Sequence, residues 1–327
     1  MTTSESSTAL QASTRARSVS ADPSPNSHRT SVHGRRSRAL RGGAAPYAFI
    51  APFYVLYVFF MIIPIMAAIY LSLTEWVGLG SPEFVGLRNY TDLTTDSSFG
   101  TALTNSLIYM LVAVLVVVPC ALLIAQALNT KGLRFRDMFR VAYFVPMVLS
   151  PIVIALIYSL VLDRDYGLLN ASLNALFGLP HVDWLGDPTL AKGAIGFVLL
   201  WRTVGYLTIF FLAALQNVPS EQYEAAALDG AGRIRTFFAV TIPGIKPISA
   251  FVIVTSFISA AQLFDEPYLL TQGGPGEATI SVAMFIYRAA FERQQFGYAA
   301  AAGVVLFAIV FAVSQGLNRL LGIGRDS

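Results

Sequence analysis

Long apolar segments alternate with short polar ones along most of this chain. A transmembrane helix needs about 20 mostly apolar residues in succession, and six segments reach that length: 47–73, 101–128, 139–162, 189–217, 247–270 and 298–321. Prolines such as Pro52 and Pro119 lie inside them, but neighbouring helices can satisfy the carbonyls that a proline leaves unpaired. The pattern predicts an all-α, polytopic membrane protein with six transmembrane helices in a domain at residues 46–323.

One further apolar stretch, residues 278–291, is shorter than a membrane span and contains Arg288. We interpret it as a helix that lies at the outer membrane surface. If it crossed the bilayer instead, the C-terminus would lie on the outer side.

The two ends of the chain differ from the apolar domain. Residues 1–45 are rich in Ser, Thr and Pro and have few large apolar side chains, so they cannot bury enough surface to fold. We predict a disordered, basic, cytoplasmic tail whose arginines set the orientation or contact anionic lipid. A twin-arginine export signal at Arg35 and Arg36 is excluded, because the apolar run that follows is too long and has no convincing cleavage site. Residues 324–327 are predicted to form a short cytoplasmic end.

Composition supports a lipid-embedded protein. Hydrophobic residues make up 55% of the chain and charged residues 13%, against roughly 25% charged in soluble domains. The single cysteine, Cys120, excludes an internal disulfide framework and a cysteine-based metal cluster. The three histidines show no metal-ligand spacing. We therefore expect membrane lipid as a partner, and neither a metal nor nucleic acid.

The positive charges indicate the orientation. With six crossings, the tail with its seven arginines, the basic loop 129–140, the loop 219–243 and the C-terminus lie on one side of the membrane. The loops on the other side carry four arginines, which their acidic residues outnumber. Because cationic loops stay in the cytoplasm, both termini and the loop 219–243 are predicted to be cytoplasmic.

Recognisable catalytic chemistry is missing from the sequence. A phosphate-binding loop requires G-x-x-x-x-G-K-[S/T], and none of the three lysines (Lys131, Lys192 and Lys246) follows such a pattern. H-E-x-x-H, G-x-S-x-G and a pair of acids deep in a span are also absent. We expect no cofactor in this chain and no enzymatic activity. If transport is driven, the energy comes from another chain.

The loop 219–243 is a polar stretch between two predicted spans. Ser220 is placed to cap a short helix, and Gly230 can adopt a positive φ and end it. Between them, three small alanines allow another protein to approach closely, while Glu224 and Asp229 offer charges to bind it. Pro243 breaks the apolar turn that follows.

The pattern E-A-A-x-x-x-G, followed by aliphatic-x-aliphatic-Pro, resembles the coupling loop of permease subunits in type I ATP-binding-cassette importers. Val240 and Ile242 stand where Ile and Leu are commoner. The resemblance implies a cytoplasmic coupling helix that contacts an ATPase, and its residues are Glu224, Ala225, Ala226, Asp229, Gly230 and Pro243.

A second resemblance concerns the solute. Gly273-Gly274-Pro275, together with Phe264-Asp265-Glu266-Pro267-Tyr268, is similar to carbohydrate permeases, in particular the larger membrane subunit of the maltose transporter and the glycerol-phosphate and sugar permeases. It implies a second homologous permease subunit, two ATPase subunits that bind ATP and Mg, and an extracytoplasmic solute-binding protein. Asp265, Glu266, Gly273, Gly274 and Pro275 are expected to face water or that binding protein.

Sugar recognition needs hydroxyl-matching polar groups and an aromatic face in a cavity between helices. The spans that flank the coupling loop offer six such residues: Trp201, Arg202, Tyr206, Thr255, Ser259 and Gln262. Thr255 and Ser259 could equally serve as small residues in helix packing. Arg202 contacts the solute or a gate, or pairs with an acid of the second permease subunit, because an unpaired arginine in a span is costly.

Two other functions remain open at this point. The same kind of importer could carry a polyamine or a phosphonate, since the coupling pattern is shared among importers. A secondary carrier that works alone is a third possibility, although the sequence shows neither an internal repeat nor a buried acid pair.

Overall fold

The computed structural model describes residues 45–130, 138, 143 and 145–322. The chain divides into residues 1–54 and 55–327, and only the start of the first helix is described in the first of these units. The predicted tail as far as residue 44, residues 131–137 and 139–140 of the basic loop, and the C-terminal residues 324–327 lie outside the described residues.

Helices and short π-helical turns make up most of the described chain. The first half contains α1 (Ala45–Tyr57), a π-helical turn (Val58–Ile62), α2 (Ile63–Ser72), strands β1 (Thr74–Glu75) and β2 (Glu83–Phe84), α3 (Arg88–Thr95), α4 (Ser97–Val112), a π-helical turn (Ala113–Val117) and α5 (Val118–Asn129). The two strands pair antiparallel.

The second half contains α6 (Pro151–Val161), α7 (Leu168–Phe177), α8 (Pro188–Gln216), α9 (Ser220–Leu228), α10 (Arg233–Thr236), a π-helical turn (Phe237–Thr241), α11 (Ile242–Gly244), α12 (Lys246–Ala261), a π-helical turn (Pro267–Thr271), α13 (Val282–Tyr287), a π-helical turn (Arg288–Glu292) and α14 (Phe296–Leu321).

Within the described residues, four helical segments are long and apolar enough to cross a membrane: Phe49–Ser72, Ser97–Asn129, Pro188–Gln216 and Phe296–Leu321. A fifth crossing results if Arg233–Gly244 and Lys246–Ala261, which meet at an angle of 74°, are one bent span. The predicted span 139–162 is described only in part, as the 11-residue α6. A mostly helical membrane protein is confirmed, and the count of six spans stays a prediction.

Polar residues in the loops determine where the long helices begin. The Asp96 carboxylate accepts hydrogen bonds from the backbone N–H groups of Ser98 and Phe99, at 2.8 and 3.2 Å, at the start of α4. Asp187 does the same at the start of α8. These caps satisfy N–H groups that have no partner inside the helix.

Two buried apolar clusters hold α4, α5, α8 and α12 together. The first joins Tyr109 of α4 with Ile195 of α8 and Phe257 of α12. The second joins Ala121 of α5 with Phe211 of α8 and Val252 of α12. Because α8 and α12 contribute to both clusters at different levels, these two helices are fixed along much of their length, with α4 in the first cluster and α5 in the second.

The segment 278–291 is mostly buried within the chain, and its expected position at the outer membrane surface stays a prediction. Its helix α13 and the turn after it are short, but Val282, Met284 and Phe285 are fully buried in the protein. Three side chains of α4 bind the preceding loop: Asn105 donates to the carbonyls of Glu277 and Ile280, Tyr109 donates to that of Thr279, and Ser106 accepts from the N–H of Val282. These hydrogen bonds hold the segment inside the helix bundle.

Two glycines permit close approach of the backbone. A Cβ on Gly297, in the first turn of α14, would overlap the carbonyl oxygen of Thr74. A Cβ on Gly205, in the middle of α8, would overlap the carbonyl oxygen of Tyr143. Small residues at such positions let neighbouring segments pack at short distance in a membrane protein.

Gly297→Ala is therefore expected to lower the melting temperature of the chain purified in detergent, because the new methyl group displaces backbone at a cost of about 1–3 kcal/mol. Gly316→Ala in the same helix is the matched control, since a Cβ there has no neighbour within 4 Å. It should be neutral or raise stability by about 1 kcal/mol through helix propensity. Equal melting temperatures for the two variants would contradict the close approach.

Candidate functional site

A cavity of about 120 Å³ lies between α8, α12 and the π-helical turn that joins α4 to α5. Apolar side chains such as Val117, Leu199 and Leu207 form part of its wall. The polar residues that line it are Arg202, Thr203, Tyr206, Thr255, Ser256 and Ser259. Such a mixture of apolar wall and a few polar groups is typical of small-molecule sites.

Four of the six residues predicted for solute recognition line this cavity: Arg202, Tyr206, Thr255 and Ser259. Trp201 is turned away, with its ring against Tyr158 at a centroid distance of 5.4 Å. Gln262 is exposed at the C-terminal end of α12 and does not line the cavity. Thr255 and Ser259 therefore line the cavity, whereas Gln262, predicted to lie on the same helical face, does not.

Thr203 and Ser256 also line the cavity but were not predicted from the sequence. Ser256 lies three residues before Ser259, and this i, i+3 spacing could have indicated it. Its hydroxyl is the more informative of the two, because it is buried and has no hydrogen-bond partner among the described residues. The hydroxyl of Thr255, by contrast, donates to the carbonyl oxygen of Phe251 at 2.8 Å.

Arg202 forms an ion pair with Glu266 of the same chain. Its Nε lies 2.6 Å from Oε1 of Glu266, although the angles are not those of a hydrogen bond. The Glu266 side chain is 4% exposed and that of Arg202 is 31% exposed. The expectation that Glu266 faces water or a binding protein is therefore wrong: its carboxylate is buried as the counter-charge of an arginine that a membrane helix could not otherwise hold cheaply.

The other residues predicted to face a binding protein are only partly accessible. Gly273 is buried, whereas Asp265, Gly274 and Pro275 are half-buried. The Thr279 hydroxyl donates to the carbonyl oxygen of Gly274 at 2.9 Å, and Arg288 donates to that of Gln272 at 2.6 Å. The loop is thus fixed from within the chain.

The loop 219–243 projects from the rest of the chain. Helix α9 has no buried residue, and Leu228 and Ile234 are 90% and 78% exposed. Tyr223 connects α9 to the following turn, because its hydroxyl lies 3.3 Å from that of the buried Thr241. Glu224, Ala225, Asp229, Gly230 and Pro243 are exposed and Ala226 is half-buried. The loop therefore presents both charge and apolar surface.

Helix α9 ends as its sequence predicts but begins differently. Gly230 has a φ of 71°, the N–H of Gly230 donates to the carbonyl of Ala227, and that of Ala231 donates to Ala226. This is a Schellman motif, which glycine favours because it lacks a Cβ. Ser220 is the first helical residue, and Pro219 occupies the cap position without a side-chain hydrogen bond, so the predicted serine cap is wrong.

A larger cavity of about 400 Å³ lies elsewhere, among the residues that precede α4 and α14. Its wall includes Trp76, Arg88, Asp92, Arg293 and Tyr298. Predicted solute residues are absent from this wall.

Comparison with known proteins identifies the family. The family model for the "Binding-protein-dependent transport system inner membrane component" matches residues 118–322. This range includes α8, the loop 219–243 and α12, which together carry most of the features described above. The chain belongs to this family. It is the membrane component of a binding-protein-dependent transport system, a permease without an ATPase site of its own.

Two relatives of the permease come from Bacillus subtilis (strain 168). "Probable ABC transporter permease protein YurN" is 39% identical over 286 residues, which cover 86% of this chain and 97% of that protein. "Arabinooligosaccharides transport system permease protein AraP" is 35% identical over 272 residues, which cover 83% of this chain and 86% of that protein. Further relatives with 35–37% identity are also named for the transport or uptake of sugars.

A solved structure has the same fold as the permease. It is the crystal structure of a bacterial alginate ABC transporter in complex with an alginate pentasaccharide-bound periplasmic protein. The TM-score is 0.75 with 21% sequence identity, over 84% of this chain and 93% of that chain.

The ion pair leads to a double-mutant prediction. Arg202→Gln or Glu266→Gln alone leaves one charge without its partner, and each should cost about 3 kcal/mol, at the lower end for a broken buried pair because Arg202 is partly exposed. The double variant removes both charges and should cost less than either single one. Thermal melting of the four proteins in detergent measures this, and additive effects would contradict the pairing.

Proposed function

We propose that the permease forms, with a second homologous permease subunit, the membrane pathway of an ATP-driven importer for a sugar, either an oligosaccharide, a disaccharide or a sugar-like solute. The observation that carries this proposal is the cavity between α8 and α12, whose polar wall consists of hydroxyl groups and one guanidinium. Relatives named for arabinooligosaccharides and other sugars support the same solute class.

Solute recognition is assigned to the cavity-lining residues. Tyr206 supplies an aromatic face with a hydroxyl, and Thr255, Ser256 and Ser259 supply further hydroxyls. Sugar hydroxyls donate and accept hydrogen bonds as these side-chain hydroxyls do. Each hydrogen bond between the sugar and the cavity wall therefore replaces one that the sugar made with water. Trp201 and Gln262 complete the set predicted from the sequence and would act only if the helices rotate, since both lie outside the cavity.

The energy for transport is proposed to enter through the loop 219–243. Two ATPase subunits, which bind ATP and Mg, would contact the exposed face of α9, with Glu224, Ala225, Ala226, Asp229, Gly230 and Pro243 as the coupling residues. Three exposed apolar side chains on this loop favour this role, Leu228, Ile234 and Phe238, because an apolar surface formed by several side chains is a feature of interaction sites.

The topology completes the proposal. Six crossings would leave both termini and the loop 219–243 in the cytoplasm and the Gly273–Pro275 loop on the other side. There an extracytoplasmic solute-binding protein would meet Asp265, Gly273, Gly274 and Pro275. Glu266 is omitted from this surface because it is buried.

The coupling role is tested with Glu224→Lys in the complete transporter. Reversal of this exposed charge should reduce co-purification of the ATPase subunits and abolish ATP-driven uptake, while the chain still reaches the membrane. Gln222→Ala, an exposed change on the same helix, is the matched control and should leave both measurements unchanged. Normal uptake with normal assembly in the Glu224 variant would remove α9 from the mechanism.

The solute site is tested with Tyr206→Phe, which removes one hydroxyl and keeps the ring. Uptake of labelled arabinooligosaccharide or lactose by cells that produce all subunits should fall about threefold to tenfold, the worth of one neutral hydrogen bond. Tyr166→Phe serves as the control, because Tyr166 is 91% exposed and remote from the cavity wall. Sugar uptake that is equal in both variants would exclude the Tyr206 hydroxyl from recognition.

A further inference from the structure

The position of Arg202 in the fold requires an explanation. It lies near the midpoint of the 29-residue α8, a helix long and apolar enough to span the membrane, and it lines the hydroxyl-rich cavity. An arginine keeps its positive charge in any protein environment. A cavity with one unbalanced guanidinium would attract anions and repel cations.

Glu266 contacts the guanidinium at its Nε. It is 4% exposed, and it does not line the hydroxyl-rich cavity. The contact uses Nε, and no described residue accepts a hydrogen bond from the two terminal nitrogens of Arg202. The carboxylate thus contacts the guanidinium at Nε alone, and Arg202 itself also lines the hydroxyl-rich cavity.

Other charges near the pair are few. Every other residue that lines the hydroxyl-rich cavity is uncharged. Asp265, adjacent to Glu266, is half-buried and lines a separate, smaller cavity together with Arg202 and Glu266. The buried, unpaired hydroxyl of Ser256 lies in the wall of the hydroxyl-rich cavity, so a polar ligand there would satisfy a group that the protein itself leaves unpaired.

We propose that Glu266 is a positioning residue that fixes the Arg202 guanidinium in the cavity wall and cancels its charge, so that the pathway selects uncharged, hydroxyl-rich solutes. The proposal rests on the proposed function and narrows its solute class. A guanidinium in this state still donates N–H groups to hydroxyl and ether oxygens. A phosphonate would need an excess of positive charge in the cavity, and a polyamine an excess of negative charge, and the balanced pair provides neither.

The test measures cavity charge directly and needs no transported solute. In the complete transporter in membranes, Cys120→Ser removes the single native thiol of this chain and Ser259→Cys places a reporter in the cavity wall, and modification is followed on this chain alone. The initial rates of modification by anionic sulfonatoethyl and cationic trimethylammonioethyl methanethiosulfonate are then compared. We expect their ratio to be close to that for free cysteine in the parent, because the pair is neutral.

Loss of one charge should shift this ratio strongly. Glu266→Gln leaves the arginine unbalanced and should raise the anion-to-cation ratio by about tenfold or more, as one unit charge several ångströms away in a poorly screened site predicts. Arg202→Gln should lower the ratio by a similar factor, and the double variant should restore the parental value. An unchanged ratio in either single variant would overturn the proposal. Arg202→Gln alone decides the matter if Glu266→Gln does not reach the membrane.

Two controls separate this role from a general change in charge or structure. Asp265→Asn removes the same charge from the next residue and should shift the ratio much less than Glu266→Gln; an equal shift would contradict a specific role of Glu266. A reporter at Leu228→Cys on α9 should give the same ratio with or without Glu266. The test itself measures no uptake. If the modification ratios follow the expected pattern but a separate assay finds no sugar uptake, only the proposed function is contradicted.

Discussion

A polar or charged group inside a lipid-embedded helix bundle has no bulk water to bind, so it must find its partner within the protein. The Arg202–Glu266 ion pair and the hydrogen bonds from α4 to the loop at residues 277–282 both meet this requirement. Both also connect segments that are distant in the sequence. The pairing of buried polar groups therefore determines which loops are drawn into the bundle, since apolar packing alone has little directional preference.

The cavity lies where this pairing is incomplete. Above and below it, the two apolar clusters fix α4, α5, α8 and α12, and between them the wall contains Arg202 and the unpaired hydroxyl of Ser256. A rigid surround and a few unsatisfied polar groups are what a solute site requires. The same helices that build the fold thus also line the proposed solute site.

Much of this arrangement could be predicted from local patterns. The length of apolar runs indicated membrane helices, and the glycine after α9 indicated where that helix ends. Four cavity residues were found because they share helical faces on the spans beside the coupling loop. The role of Glu266 could not be found in this way. Its carboxylate is drawn inward by an arginine on another helix, and a contact between distant segments leaves no periodic trace in the sequence. For the same reason, the burial of α13 was missed: its apolar side chains fit lipid and a protein interior equally well.

The chain bends between Arg233–Gly244 and Lys246–Ala261. A rotation of α12 about this bend, taken as its pivot, moves the far end of the helix more than its start. The fully buried Ile245 lies at the pivot, and Thr255, Ser256 and Ser259 lie toward the far end. At a rise of 1.5 Å per residue, Ser259 is about 20 Å from the pivot, so a tilt of only about 5° carries it sideways by about 1.7 Å. Such a displacement exceeds the tolerance of a hydrogen bond. If the proposed solute site is correct, a small angular movement at the bend would suffice to break its hydrogen bonds.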